Sequence, residues 1–330
     1  MYERFFALST NPFSLTPNPA FLYLTQEHRD AIAGLMYGIL SRKGIMVLSG
    51  DAGTGKTTLL HSLMKAIPAD RAEFSFVLNP GFSVDEFFRS ALASFRVDAT
   101  PTRKDEILSS LQKHLLVAHQ KNISVVLVID EAHRLSPELL EEIRLLANFE
   151  TETDKLLQIL LVGQDELDSV LDRHDLRQLK QRIAIRLRIQ RLSTEQVAEY
   201  VQHRWTKATS RPLPFDADAL SAIGEYSSGT PRLVNSLCDN ALIHAFAQGA
   251  STVSKAVILD VAQDLHMKPA PSSVLAESPS TQAVVVNDIV SPANGSEPFG
   301  ERTNRTLTTL ESYASVKRWP FRWGTRAQGA

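Results

Sequence analysis

Two short segments of this 330-residue chain carry residue types suited to handling phosphate. Gly50-Asp51-Ala52-Gly53-Thr54-Gly55-Lys56-Thr57 fits the pattern G-x-x-x-x-G-K-[ST]. Its glycines let backbone N–H groups curl around phosphate oxygens where a Cβ would collide. Lys56 would then reach the β- and γ-phosphates and the Thr57 hydroxyl would ligate Mg²⁺, with Thr58 opening the helix that follows. The second segment, Val125-Val126-Leu127-Val128-Ile129-Asp130-Glu131, is an apolar run ending in two carboxylates. Asp130 at the strand end is suited to the Mg²⁺ shell, and Glu131 to polarising an attacking water. Together they predict an enzyme that hydrolyses ATP, with Mg²⁺ as cofactor.

Such residues need a frame that brings them to one edge. Strand-length apolar runs at 44–49, 73–78, 124–129, 156–162 and 184–189 alternate with helical patterns at 26–40, 58–66, 84–95, 105–119 and 137–149. Alternation of this kind predicts an α/β fold, a parallel sheet sandwiched by helices. In open sheets of this type ligands sit at the carboxyl ends of the strands, so both motifs would face one crevice. Thr25 and Ser136 are placed as helix caps, the latter followed by Pro137 and Glu138. Residues 1–24, broken by Pro12, Pro17 and Pro19, are expected to form an ordered arm without helix.

Past Leu192 the pattern is helical only, at 194–206, 216–226, 231–247 and 254–266, which predicts a small all-helical lid domain. The expected division is 1–190 for the ATPase domain with its arm, 191–267 for the lid, and 268–330 for a disordered Pro/Ser-rich tail with a basic, aromatic end.

Composition narrows the function classes. Lys and Arg number 35 against 37 Asp and Glu, a net charge of −2, which does not favour a nucleic-acid coat. The single cysteine, Cys238, excludes an internal disulfide and a Cys-based zinc site. No apolar run approaches the ~20 residues of a membrane helix, and the N-terminus lacks the layout of a signal peptide, so the expected location is the cytoplasm. Asp130-Glu131-Ala132-His133 spells the box of some helicases, but those need two tandem α/β motor domains and only one is predicted here.

The chain resembles the AAA+ ATPases of the ExeA, or general secretion pathway protein A, type, which are similar in turn to ATPases of transposition systems. The likeness spans about residues 1–266. It rests on Pro12-Phe13, on Pro17-x-Pro19-x-Phe21-Leu22-Tyr23, on the two motifs above, and on the run from Ser136 to Leu146. It continues through Leu157–Gln164, Leu176–Ile183 and Gly229-Thr230-Pro231-Arg232-Leu233-Val234-Asn235. The resemblance implies four further roles. Gln164 would be the polar sensor of the γ-phosphate, and Arg232 the lid arginine that touches the phosphates. Arg182 would be the finger inserted into a neighbouring subunit, with Arg177 its rival. The arm and the first helix, with His28 and Arg29, would cover the adenine. It also implies a homo-oligomer acting on a protein partner at a membrane, in secretion or envelope assembly. A DNA-associated ATPase of the transposition kind and a nucleotide-dependent scaffold with little turnover are the alternatives. His133 stands where these relatives usually carry glutamine, and the 330 residues hold no counterpart of the membrane helix and peptidoglycan-binding region of secretion-type members.

Overall fold

The computed structural model describes residues 1–16, 18–77, 81, 83–97 and 103–269, so most of the expected tail lies outside the described residues. Five strands form the sheet: β1 (Ile45–Gly50), β2 (Ala72–Val77), β3 (Ser124–Ile129), β4 (Leu157–Val162) and β5 (Ile183–Ile189). They pair in parallel in the order β2-β3-β4-β1-β5. The three inner strands, β1, β3 and β4, are buried at every residue, which is why they read as nearly continuous apolar runs.

The helices in chain order are α1 (Tyr2–Phe5), α2 (Gln26–Leu40), α3 (Lys56–Ala66), α4 (Val84–Ser94), α5 (Lys104–Gln120), α6 (Pro137–Leu146), α7 (Glu166–Leu171), α8 (Arg177–Lys180), α9 (Thr194–Ala208), α10 (Ala217–Ser227), α11 (Pro231–Ala247) and α12 (Lys255–Asp264). Alternate residues of each inner strand serve opposite faces. Met46, Leu48, Val126, Val128, Leu160 and Val162 pack with Ile32, Leu35, Leu59 and Leu63 of α2 and α3. Val47, Leu127, Ile159 and Leu161 pack with Phe87, Leu111, Leu139 and Ile143 of α4, α5 and α6. The sheet is therefore the middle of three layers.

Local devices aim the strand ends. Gln158, fully buried in β4, accepts from the Gly44 N–H at 2.8 Å and donates to the Lys155 carbonyl at 2.9 Å, tying the starts of β1 and β4 together. Thr25 and Ser136 cap α2 and α6 by accepting from the N–H groups of His28 and Leu139, both at 3.3 Å. Such caps contribute roughly 1 kcal/mol each. α7 and α8, only six and four residues long, are too short to show a periodicity in the sequence.

The N-terminal arm departs from expectation. Tyr2–Phe5 is helical, because the prolines that bar a helix begin only at Pro12. Three of its aromatics pack on the lid. Tyr2, Phe6 and Phe13 enter the core formed by α9 to α12, beside Trp205, Phe215, Val234 and Leu237. Polar bonds fix the attachment: the Ser9 amide and hydroxyl both donate to the Ala208 carbonyl at 2.9 Å, and Asn11 and Tyr2 both donate to Asp239. Among the described residues, no helix is long and apolar enough to cross a membrane.

Sheet and lid meet where Leu192 donates its N–H to the Gly229 carbonyl at 2.9 Å. Gly229 has φ +70°, and a Cβ there would lie 1.9 Å from the Leu192 carbonyl oxygen. Gly249 has a similar φ of +66° with nothing within 4 Å of a Cβ. Alanine at either position would carry ~1–2 kcal/mol of left-handed backbone strain. At Gly229 the collision should add about 1–3 kcal/mol. Thermal melting of Gly229→Ala and Gly249→Ala separates the two costs, and equal shifts would show that the junction yields to accommodate the methyl group.

Candidate functional site

β1 ends at Gly50, and the loop to α3 turns through backbone conformations that only glycine adopts readily. Gly50 has φ +151°, with a built Cβ 2.4 Å from the Ile189 carbonyl oxygen, while Gly53 and Gly55 have φ +80° and +102°. The loop closes on itself through Lys56, whose ammonium donates to the carbonyls of Gly50 at 2.5 Å and Asp51 at 2.8 Å. Thr54 is buried and donates its hydroxyl to the Asp51 carbonyl at 2.8 Å. Burial pushes the Lys56 pKa down, while the carboxylates of Glu131, Asp130, Asp165 and Asp51 pull it back up.

β3 delivers the two predicted carboxylates opposite that loop. Asp130 is raised above the usual carboxylate range by desolvation, offset in part by the Glu131 N–H, which donates to its Oδ1 at 2.9 Å. Glu131 sits at φ +53°, a conformation that costs a non-glycine residue about 1 kcal/mol or more. Its carboxylate receives the Gln164 Nε2–H at 3.4 Å and lies 3.5 Å from His133 Nε2. His133 Nδ1 accepts the Gln164 backbone N–H at 3.3 Å, so a neutral ring carries its proton on Nε2, facing Glu131.

A cavity of about 560 Å³ joins these pieces to the lid. Ala52, Gly53, Thr54, Gly55, Lys56, Thr57, Thr58, Asp130, Glu131, Gln164 and Arg232 all line it. Arg232 comes from the N-terminus of α11 and packs against the loop, its Cβ 3.0 Å from where a Gly53 Cβ would stand. Gly50 and Asp51 lie behind the lining, and Asp51 is held by Arg191 Nε at 2.6 Å. Residues 14–16 and 18 of the arm, with Phe21 and Tyr23, line the cavity as well. His28 is 7% exposed and is pushed down to about 4 by burial, against the effect of a hydrogen bond to the Thr54 backbone; it is neutral at pH 7 and braces the loop.

Arg182 lies elsewhere. It precedes β5 and donates to Asn148 Oδ1 at 2.5 Å and to the Arg144 carbonyl at 3.3 Å, outside the lining of its own chain's cavity. Three lining residues on the lid, Tyr200, Arg204 and Asn235, went unrecognised as site residues in the sequence. Tyr200 and Arg204 share one face of α9 at a spacing of four, but that spacing alone does not separate a lining pair from a core pair.

Among the described residues no group of three or more His, Cys, Asp or Glu side chains is placed to hold a metal. The donor set at hand, the Thr57 hydroxyl and the Asp130 carboxylate, is instead the hard oxygen pair that suits a magnesium ion sharing its shell with phosphates.

Comparison with known proteins agrees with this geometry. Residues 39–171 match the family of the AAA domain. The chain is 39% identical over 257 residues to general secretion pathway protein A of Aeromonas hydrophila, an alignment covering 77% of this chain and 46% of that protein. The chain thus spans about half the length of this curated relative. Its fold is similar to that of the Aeropyrum pernix ORC2 protein solved as ADPNP-ADP complexes, at 16% identity and a TM-score of 0.60, covering 80% of this chain and 72% of that one. The Cdc6p of Pyrobaculum aerophilum is similar at 20% identity and a TM-score of 0.59, covering 77% and 70%. With the parallel sheet, the glycine-rich loop and the helical lid in place, the chain carries an AAA domain and is similar over 77% of its length to general secretion pathway protein A.

Proposed function

We propose that this chain binds ATP with Mg²⁺, hydrolyses it to ADP and phosphate, and uses the nucleotide state to switch an oligomer acting on a protein partner in secretion or envelope assembly. The observation that carries the reading is the convergence of Lys56, Asp130, Glu131, Gln164 and Arg232 on one cavity from four different elements. Lys56 would exchange the carbonyls of Gly50 and Asp51 for β- and γ-phosphate oxygens. Thr57 and Asp130 would hold Mg²⁺, which neutralises the charge on those oxygens when bound. Glu131 would take the proton of the water whose oxygen bonds to the γ-phosphorus as the bond to the β-phosphate oxygen breaks. Gln164, bonded to Glu131, would orient that water, and Arg232 would report the γ-phosphate to the lid. The length shared with the Aeromonas protein supports the secretion reading, whereas a net charge of −2 lends no support to the DNA-associated alternative.

Lys56→Ala removes charge-assisted contacts worth about 1.5–3 kcal/mol each, so nucleotide affinity should fall at least about tenfold in a fluorescent-nucleotide titration. Unchanged affinity would place the phosphates elsewhere.

Glu131→Gln keeps the shape and loses the base. ATP binding should persist while turnover drops roughly 10²–10⁴-fold. Near-normal phosphate release would mean that another residue activates the water, or that none is needed.

Arg182 concerns the oligomer. As a finger acting in trans it should be worth about 10³–10⁵ in rate with little effect on binding. Mixing Arg182→Ala with Glu131→Gln should then restore part of the ATPase activity, because some interfaces pair an intact Glu131 with an intact Arg182. Silence in a mixture whose subunits demonstrably exchange would remove Arg182 from that role.

A further inference from the structure

Arg204 is a guanidinium buried without an acid. It sits on α9 at 8% exposure, and its contacts are neutral. Nε donates to the Pro12 carbonyl at 2.5 Å and Nη1 to the Tyr200 hydroxyl at 3.0 Å. The guanidinium carbon lies 5.2 Å from the Phe21 ring centroid and 5.4 Å from that of Tyr200. Glu199 on the same helix is taken by the Tyr23 hydroxyl at 2.7 Å, and Asp239 by Tyr2 and Asn11. Desolvating a cation in this way is costly unless something supplies acceptors. Among the described residues, Nη2 has no hydrogen-bond partner, yet it is not sealed off from solvent, and Arg204 lines the cavity.

Its place along that cavity fixes which part of a ligand it would meet. Arg232 marks the phosphate end by packing against Gly53. Asn235 lies one turn further along α11 and accepts from the Tyr200 hydroxyl at 2.9 Å, and Tyr200 leads in turn to Arg204 and to Phe21 of the arm. These contacts lead from α11 to α9 and on to the arm.

The geometry points to Arg204 as a specificity-determining residue for the nucleoside end of the bound nucleotide, its unused N–H groups donating to ring nitrogens of the base or oxygens of the ribose. Because Arg204 also holds the Pro12 carbonyl and stacks on Phe21, it joins arm and lid around the same end of the ligand. This rests on the nucleotide reading above and deepens it. A strut that merely fixed the arm would contribute to folding but would not distinguish one ligand from another.

The test compares ATP with inorganic tripolyphosphate, which shares the phosphates and lacks the nucleoside. Both are titrated with Mg²⁺ by calorimetry into protein carrying Glu131→Gln, so that ATP is not consumed. Arg204→Lys keeps the charge and loses the planar fork. Its affinity for ATP should fall about tenfold while that for tripolyphosphate stays within about twofold. Equal weakening of both ligands, or of neither, overturns the assignment, as does a lower melting temperature with an unchanged ratio. Should the lysine protein not fold, Arg204→Gln is read by the same ratio. Lys56→Ala keeps the two inferences apart. It should weaken both ligands, and if it weakens neither, the nucleotide reading itself fails rather than the role of Arg204.

Discussion

Lys56 must remain charged in a crevice that takes much of its water away, and the site is organised around that demand. Desolvation alone would favour the neutral amine. What opposes it is a set of carboxylates, Asp51, Asp130, Glu131 and Asp165, carried by the loop, by the end of β3 and by the turn after β4. Asp51 belongs to the loop itself, but Asp130, Glu131 and Asp165 are distant in sequence and reach the ammonium because the sheet order sets β4 beside β1 and β3 next beyond it. The same dehydration raises Asp130, and the two shifts are opposite faces of one low-dielectric pocket. A triphosphate with its magnesium would enter a site whose charges already offset one another.

The lid is the second half of that arrangement. Its attachment at Leu192 and Gly229 leads within three residues to Arg232, so the junction of sheet and lid also positions the cation on the loop. On the proposed role of Arg232, a change in the phosphates would have a short path to α11, and from there through Asn235 and Tyr200 to α9. Interactions of this kind are how a binding site biases a bistable domain arrangement.

Much of this was legible in the amino-acid order. The buried strands stood out because both faces of β1, β3 and β4 need apolar residues, and the loop because few residue types tolerate its backbone. Thr25 and Ser136 announced their helices through capping chemistry. The destination of the arm did not show: Phe13 meets Phe215, and Phe6 meets Trp205, across separations at which no local pattern operates. For the same reason Tyr200, Arg204 and Asn235 looked like ordinary lid residues, since what they line exists only once the lid has docked. Arg182 was placed correctly ahead of β5, but its bonds to Asn148 and Arg144 depend on how the end of α6 passes that edge.

The packing of Tyr2, Phe6 and Phe13 into the lid has a consequence for biosynthesis. These aromatics precede their partners on α9 to α12 in the chain, with all of β1 to β5 between them, and so leave the ribosome well before them. At typical translation rates the interval is roughly ten to fifty seconds. During it the nascent chain can assemble β1 to β5 while this aromatic segment lacks the lid surface that it later occupies. The phosphate loop is therefore complete as a chain segment well before the walls of its cavity, which are finished only when arm and lid come together.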